Sequence, residues 1–365
     1  MKSHVTFPFF VKASVVCIGF YVLVSILSIG QTIIVPLILS SIVAVLLSPV
    51  VNFLVRKGFN RILAIIITVL LLLCISGFLT VLLSKQIIEF AHSVPQFILK
   101  LEELLAQFST LIAENFNLAT NEVDEWLLKE KGQLIEESTG AMGQTLIKTG
   151  SKLVLIILIP IYIFMFLVYQ PLLIEFIHRL FSEDNQKNVN EVISNIKKVI
   201  QSYLVGLLFE AVIVAILYSI ALLILGIDYA ILLAVIGALL NLIPYLGAII
   251  AASLPMMIAL TTKPPSYALL ILGAYVLIQI IDNNFIIPKV VSSRVRINAL
   301  VSIIIVIAGG MLWGIPGMFL AIPMTAILKV ICDHVDSLKP LGFVLGDTSS
   351  SLLTPMLSKL KIKKD

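Results

Sequence analysis

The sequence predicts an all-α membrane protein: a polytopic helical bundle of about eight transmembrane helices, with re-entrant or half helices and an extramembrane helical hairpin. Three observations point there. Of 365 residues, 59% are hydrophobic and only 13% are charged, whereas a soluble domain is nearer ~50% apolar and ~25% charged. The mean hydropathy of +1.10 is too high for a chain that must also cover a water-facing surface. A spanning helix needs about 20 mostly apolar residues, and the chain offers about eight to ten such runs.

The net charge of +4 is small, and the basic residues lie in loops and at the tail rather than along one face. They read as topology signals, which argues against a nucleic-acid partner. Cys17, Cys74 and Cys332 are far apart and lie in or beside apolar runs, so neither a disulfide framework nor a metal site is expected. Lys2 and Lys12 precede an apolar stretch, Ala13 to Ile29, that is longer than a secretory h-region and lacks a small-x-small cleavage site. A retained first span is expected.

The block from Ala13 to Leu54 is broken only by Gly30, Gln31 and Thr32, which suits two spans forming a hairpin. Arg56, Lys57 and Arg61 follow, and a third span is expected over Ile62 to Leu83. These segments make an N-terminal transmembrane region, residues 1–83.

Residues 84–151 differ, with acidic side chains outnumbering basic ones two to one and including Glu102, Glu103, Glu114, Glu122, Asp124 and Glu125. Ile87, Ala91, Val94, Ile98, Leu101, Leu105, Phe108 and Ile112 alternate steps of four and three, a heptad stripe on an extracytoplasmic helix. Pro95, with Ser93 as cap, suits a restart of that helix, and a second polar helix is expected over Glu122 to Glu137. The stripe can close a hairpin on itself or meet a second copy or partner.

Residues 152–201 read as a fourth span, Lys152 to Tyr169, and a cytoplasmic amphipathic helix. In the latter, Val189, Val192, Ile193, Ile196, Val199 and Ile200 share one face.

Residues 202–335 form the expected permease core with broken helices, and residues 336–365 a basic cytoplasmic tail. In the core, a span from Tyr203 to Leu225 precedes two short runs, Tyr229 to Leu242 and Ala248 to Leu260. A span from Ser266 to Ile281 leads through Asp282, Asn283 and Asn284 to Pro288 and Lys289, then to Arg294 and Arg296. Two more short runs, Leu300 to Ile307 and Met318 to Val330, flank a glycine-rich break. With the N-terminus inside, an even number of crossings puts Lys289, Arg294, Arg296 and the tail inside and the acidic segment outside.

Candidate functional residues lie where lipid makes a residue costly. Breaks at Asn241, Pro244, Tyr245 and Gly247, and at Gly309, Gly310, Gly314 and Gly317, interrupt backbone hydrogen bonding. In hydrocarbon this is tolerated where the freed groups are buried or line a wet cavity, and such breaks mark substrate paths in transporters. A tight surface loop is the alternative. Glu210 lies mid-span, where a charge costs roughly +2.5 to +3.5 kcal/mol. Gln279, Asp282 and Asn283 form a polar group that is either a solvated helix end or a solute or ion site, with Pro288 just beyond. No G-x-x-x-x-G-K-[ST] loop, Ser-His-Asp signature or H-E-x-x-H helix occurs, so neither ATP hydrolysis nor another enzymatic activity is expected, and no cofactor.

Five stretches in order carry a family resemblance. They are Gln201-Ser202-Tyr203-Leu204-Val205-Gly206, Leu225-Gly226-Ile227-Asp228-Tyr229-Ala230, and Leu240-Asn241-Leu242-Ile243-Pro244-Tyr245-Leu246-Gly247. Asp282-Asn283-Asn284-Phe285-Ile286-Ile287-Pro288-Lys289 and Gly309-Gly310 through Trp313-Gly314-Ile315-Pro316-Gly317 complete the series. The chain from about residue 190 to 335 resembles the AI-2E family, PerM-like permeases named for autoinducer-2 export. It departs at Asn298-Ala299-Leu300 and at Ala248, where the family favours proline. The resemblance implies an oligomeric bacterial inner-membrane permease, with export of a small polar signal in some members and sodium–proton exchange in others. The expected function is a secondary transporter or facilitator exporting a small polar solute such as an autoinducer-2-like signal. The alternatives are a sodium–proton antiporter and a membrane scaffold. The expected partners are the bilayer, a small solute or cation, and further copies of the chain, with both termini cytoplasmic.

Overall fold

A computed structural model of the chain describes residues 8–116, 157–244, 246–290 and 297–346. The polar helix expected over Glu122 to Glu137, the Arg294 and Arg296 loop and the lysine-rich tail lie outside the described residues. All named elements are helical: α1 Phe9–Ile29, α2 Gln31–Arg56, α3 Arg61–Phe116, α4 Ile157–Leu180 and α5 Gln186–Ile224. They continue with α6 Ala230–Asn241, α7 Leu246–Thr262, α8 Ser266–Ile281, α9 Ile287–Val290, α10 Ala299–His334 and α11 Lys339–Leu345. Among the described residues, seven helical stretches are long and apolar enough to cross a membrane, and α6 and α7 are shorter apolar helices. The expected all-α polytopic bundle is therefore what the chain forms.

Two elements run further than their apolar patterns. The third span does not restart at Pro95; α3 is one helix of 56 residues. At ~1.5 Å per residue it is about 84 Å long, against roughly 30 Å of hydrocarbon. Ser93 makes no cap; its hydroxyl donates to the Glu89 carbonyl one turn back, as a mid-helix serine does. The fifth span and the amphipathic segment before it are likewise one helix, α5, of 39 residues. Within α5 the predicted face holds, since Val189 and Ile200 are buried and Val192, Ile193, Ile196 and Val199 are half-buried.

The chain divides into two compact units. The first draws on Met1–Phe53, Ile161–Gln201 and Arg294–Asp365. Its α2 contains Pro49, which has no N–H to give to the carbonyl of Val45 one turn earlier. The side chain of Gln201 supplies the missing donor, its Nε2 lying 2.9 Å from the Val45 oxygen. In α10, Gly314 adopts φ 64 and ψ −144, and the helix folds back there. Gly309 and Gly317 meet across the fold so closely that a Cβ on either would collide with the other's carbonyl. The indole of Trp313, at the tip, donates to the Leu27 carbonyl of α1 at 2.9 Å.

The second unit draws on Leu54–Pro160 and Ser202–Ser293. Helix α5 ends in a Schellman motif, with Gly226 at φ 61, Gly226 N–H bonded to Leu223 and Ile227 N–H to Leu222. Helix α6 then starts against α3, whose Gln86 Oε1 accepts from Leu232 N–H at 3.0 Å, satisfying one of the free amides of the first turn. Tyr229 ahead of it bonds Ser93 through its hydroxyl at 2.8 Å. Helices α6 and α7 form the second tight hairpin. Small side chains let them approach: Gly237 faces Ala251 and the Tyr218 ring, and Gly247 abuts the Leu240 carbonyl. Ile271, Tyr275, Val214 and Leu222 complete one core of buried side chains from α5, α6, α7 and α8.

These contacts predict two stability effects. Gln201→Leu should destabilise by about 1–3 kcal/mol, the cost of an orphaned buried carbonyl. Adding Pro49→Ala, which restores an N–H to α2, should recover most of that loss; melting of the four variants in detergent measures it. Gly247→Ala should lower the melting temperature, whereas Gly273→Ala, in the interior of α8 where a Cβ meets nothing within 4 Å, should hold or raise it.

Candidate functional site

The second unit concentrates its polar side chains where three helices meet. On α5, Tyr203, Leu207, Glu210, Val214 and Tyr218 recur at steps of four and three, and all five are buried. The stripe that packs α5 thus carries Glu210 inward, leaving it 4% exposed. On α8, Ala268, Ile271, Tyr275 and Ile278 form an equivalent stripe, and Asp282 continues it at 1% exposure.

Asp282 is not at a solvated helix end. The chain passes from α8 through a π-helical turn, Asp282–Ile286, into α9, making one apolar stretch from Ser266 to Val290. The wider turn keeps Asp282 and Ile286 buried while Asn283 and Asn284 face outward. Single π turns of this kind occur often at functional sites.

Asn241 joins the two acids. It is the last residue of α6, which cannot continue because Pro244 follows and the turn closes through Leu242 N–H to Leu239 and Ile243 N–H to Leu240. From there the Asn241 Nδ2 donates to Asp282 Oδ2 at 2.9 Å and reaches Glu210 Oε1 at 3.5 Å. No lysine, arginine or histidine pairs with either acid among the described residues. Asp282 Oδ1 is buried with no hydrogen-bond partner there, as are Gln279 Oε1 and the Tyr275 hydroxyl. Gln279 Nε2 bonds the Asn283 side chain at 3.3 Å.

The structure therefore brings together Glu210, Asn241 and Asp282, with Gly247 in the adjoining hairpin and Gln279 one turn before Asp282, bonded to Asn283. Pro244 lies half-buried in the turn, and Tyr245 is outside the described residues. Asn283 and Pro288 are exposed. Gly309, Gly310, Gly314 and Gly317 belong to the other unit, where they shape the fold of α10. Sequence reasoning missed the aromatic component. The rings of Tyr218 and Tyr275 stack with centroids 4.1 Å apart and planes 11° from parallel. Their signal was in the sequence, since Tyr218 lies two turns beyond Glu210 and Tyr275 two turns before Asp282.

Comparison with known proteins agrees with this architecture. A family model described as "AI-2E family transporter" matches residues 13–337. The chain is 26% identical over 318 residues to the putative transport protein YrrI of Bacillus subtilis, covering 83% of this chain and 87% of that protein. It is 24% identical to the putative transport protein YueF of the same organism, covering 82% and 83%. It is 23% identical to the AI-2 transport protein TqsA of Escherichia coli, covering 86% and 90%.

The shared amide predicts a non-additive pair of substitutions. Asn241→Leu should destabilise by about 1–3 kcal/mol because it removes a donor from two buried carboxylates. Combining it with Asp282→Leu should cost less than the sum of the two single changes. Strictly additive melting shifts would show that the two side chains are not bonded.

Proposed function

This chain belongs to the AI-2E transporter family, and we propose that it is a secondary transporter or facilitator that exports a small polar solute past the Glu210–Asn241–Asp282 cluster. The observation that carries this reading is two carboxylates buried among membrane helices and held by one amide. Such groups are costly in a bilayer and mark solute or ion pathways. The cluster lies at the end of α6, beside the break in the α6–α7 hairpin. In transporters, broken helices provide binding groups within the membrane. A relative named for AI-2 transport over 86% of this chain favours a small polar signal as the cargo.

A cation–proton antiporter is the second reading, favoured by Asp282 Oδ1, a buried carboxylate oxygen with no partner among the described residues. A buried pair of acids is stable only when protons, donors or a cation compensate it. Exchange of those compensating groups would couple the two fluxes. The same proposal places the chain in a bacterial inner membrane with both termini cytoplasmic, as an assembly of several copies.

Reconstitution into proteoliposomes tests both readings. A pH dye inside the vesicles should report sodium- or potassium-dependent alkalinisation that Glu210→Gln and Asp282→Asn abolish, if the antiporter reading holds. A silent dye with carboxylate-dependent efflux of a labelled polar metabolite would support the exporter. Normal flux of both kinds in both variants would remove the cluster from the pathway. Topology has its own check: a cysteine placed at Asp124 should react with an impermeant thiol reagent from outside intact cells.

A further inference from the structure

The second unit holds a cavity of about 530 Å³ that the transport reading leaves unused. It lies among α5, α7 and α8, and most of its wall is apolar, including Ala252, Met256 and Met257. One side is formed by the stacked rings of Tyr218 and Tyr275. Gln279 closes it at the end nearer Asp282, one turn further along the same face of the helix.

Two features define what this cavity can take. The first is its unsatisfied polar atoms. The Tyr275 side chain is 3% exposed, yet its hydroxyl has no hydrogen-bond partner among the described residues, and Gln279 Oε1 is likewise buried and unpartnered. Gln279 Oε1 can only accept, so a ligand that completes it must donate. Ser253 also lines the cavity and gives its hydroxyl to the Ile250 carbonyl. No lysine, arginine or histidine lines the cavity among the described residues, so no cationic side chain there would hold an anion.

The second feature is the mouth. Ile249, Leu272 and Val276 line the cavity and are exposed, Val276 at 51%. Because α8 is part of a stretch long and apolar enough to cross a membrane, an opening framed by exposed apolar side chains would face hydrocarbon rather than water. A fully hydrated solute would have to shed its water in lipid to enter there. An amphiphile already dissolved in the bilayer would not. Its apolar body would meet methionines, which adapt to irregular shapes, and tyrosine faces, which attract cations.

We propose that this cavity binds small amphiphilic amines from the membrane, the ammonium group donating to Gln279 while the apolar body lies against Tyr218, Tyr275 and the methionines. The inference goes beyond solute export and does not require it.

The test is a matched ligand series on the full chain in nanodiscs, with empty nanodiscs correcting for partition. 4-Phenylbutylamine, 4-phenylbutanol and 4-phenylbutyrate share one apolar body and differ in head group. The amine should bind at least about tenfold more tightly than the alcohol, and the acid should not bind above the empty-disc level. Gln279→Leu should weaken the amine with little effect on the alcohol. Val276→Trp, at an exposed position that packing can accept, should obstruct the mouth and weaken all binding. Equal affinity for amine and acid, or amine binding unchanged in both variants, would overturn the proposal. Failed amine binding with Glu210-dependent flux intact would sink this inference alone. Amine binding without such flux would sink only the transport reading.

Discussion

Lipid offers no hydrogen bonds, and the described structure follows from that constraint. Each amide or carbonyl that leaves a helix inside the membrane must find a partner from the protein. The chain contains prolines and glycines that create such orphans, and long-range side chains answer several of them. Gln201 replaces the donor that Pro49 withholds from Val45, Gln86 caps the start of α6, and Trp313 bonds the carbonyl of Leu27. These polar groups work as fasteners between helices, because in hydrocarbon the alternative to the protein partner is none at all.

The same constraint would favour tight folding wherever a break falls within the bilayer. A loop projecting into lipid would leave its backbone bare, whereas a hairpin whose limbs touch buries it. Touching requires that no side chain stand between the limbs. Gly309 meets Gly317 in one unit and Gly247 meets Leu240 in the other, each at a distance that excludes a methyl group. The two hairpins share this device but differ in what surrounds them. The α6–α7 hairpin ends beside two buried acids, while the fold of α10 has Trp313 anchored to α1 at its tip.

Glu210, Asn241 and Asp282 use the strategy incompletely. One amide serves two acids, and one oxygen of Asp282 is left unpartnered among the described residues. A structural network would satisfy all its members, since a half-satisfied buried network costs stability. That incomplete pairing is the feature on which the proposed role of the cluster rests. The tyrosine-lined cavity among α5, α7 and α8 carries further unpartnered polar atoms, the Tyr275 hydroxyl and Gln279 Oε1.

Sequence alone determined the helical class, the membrane environment, most span positions, the two breaks and the family, because hydropathy and glycine or proline placement act locally. It also singled out Glu210, Asn241 and Asp282, since polar residues stand out within apolar runs. It could not join them. Glu210 and Asn241 are 31 residues apart, Asn241 and Asp282 are 41 apart, and only packing brings their side chains into reach. Packing also decided that Asp282 is buried rather than solvated, through a π turn whose wider hydrogen-bond spacing leaves no composition signal. The continuity of α3 past Pro95 and the stacking of Tyr218 on Tyr275 were settled at the same level. A residue's chemistry is written in the chain, but its partners are chosen by which helix faces meet.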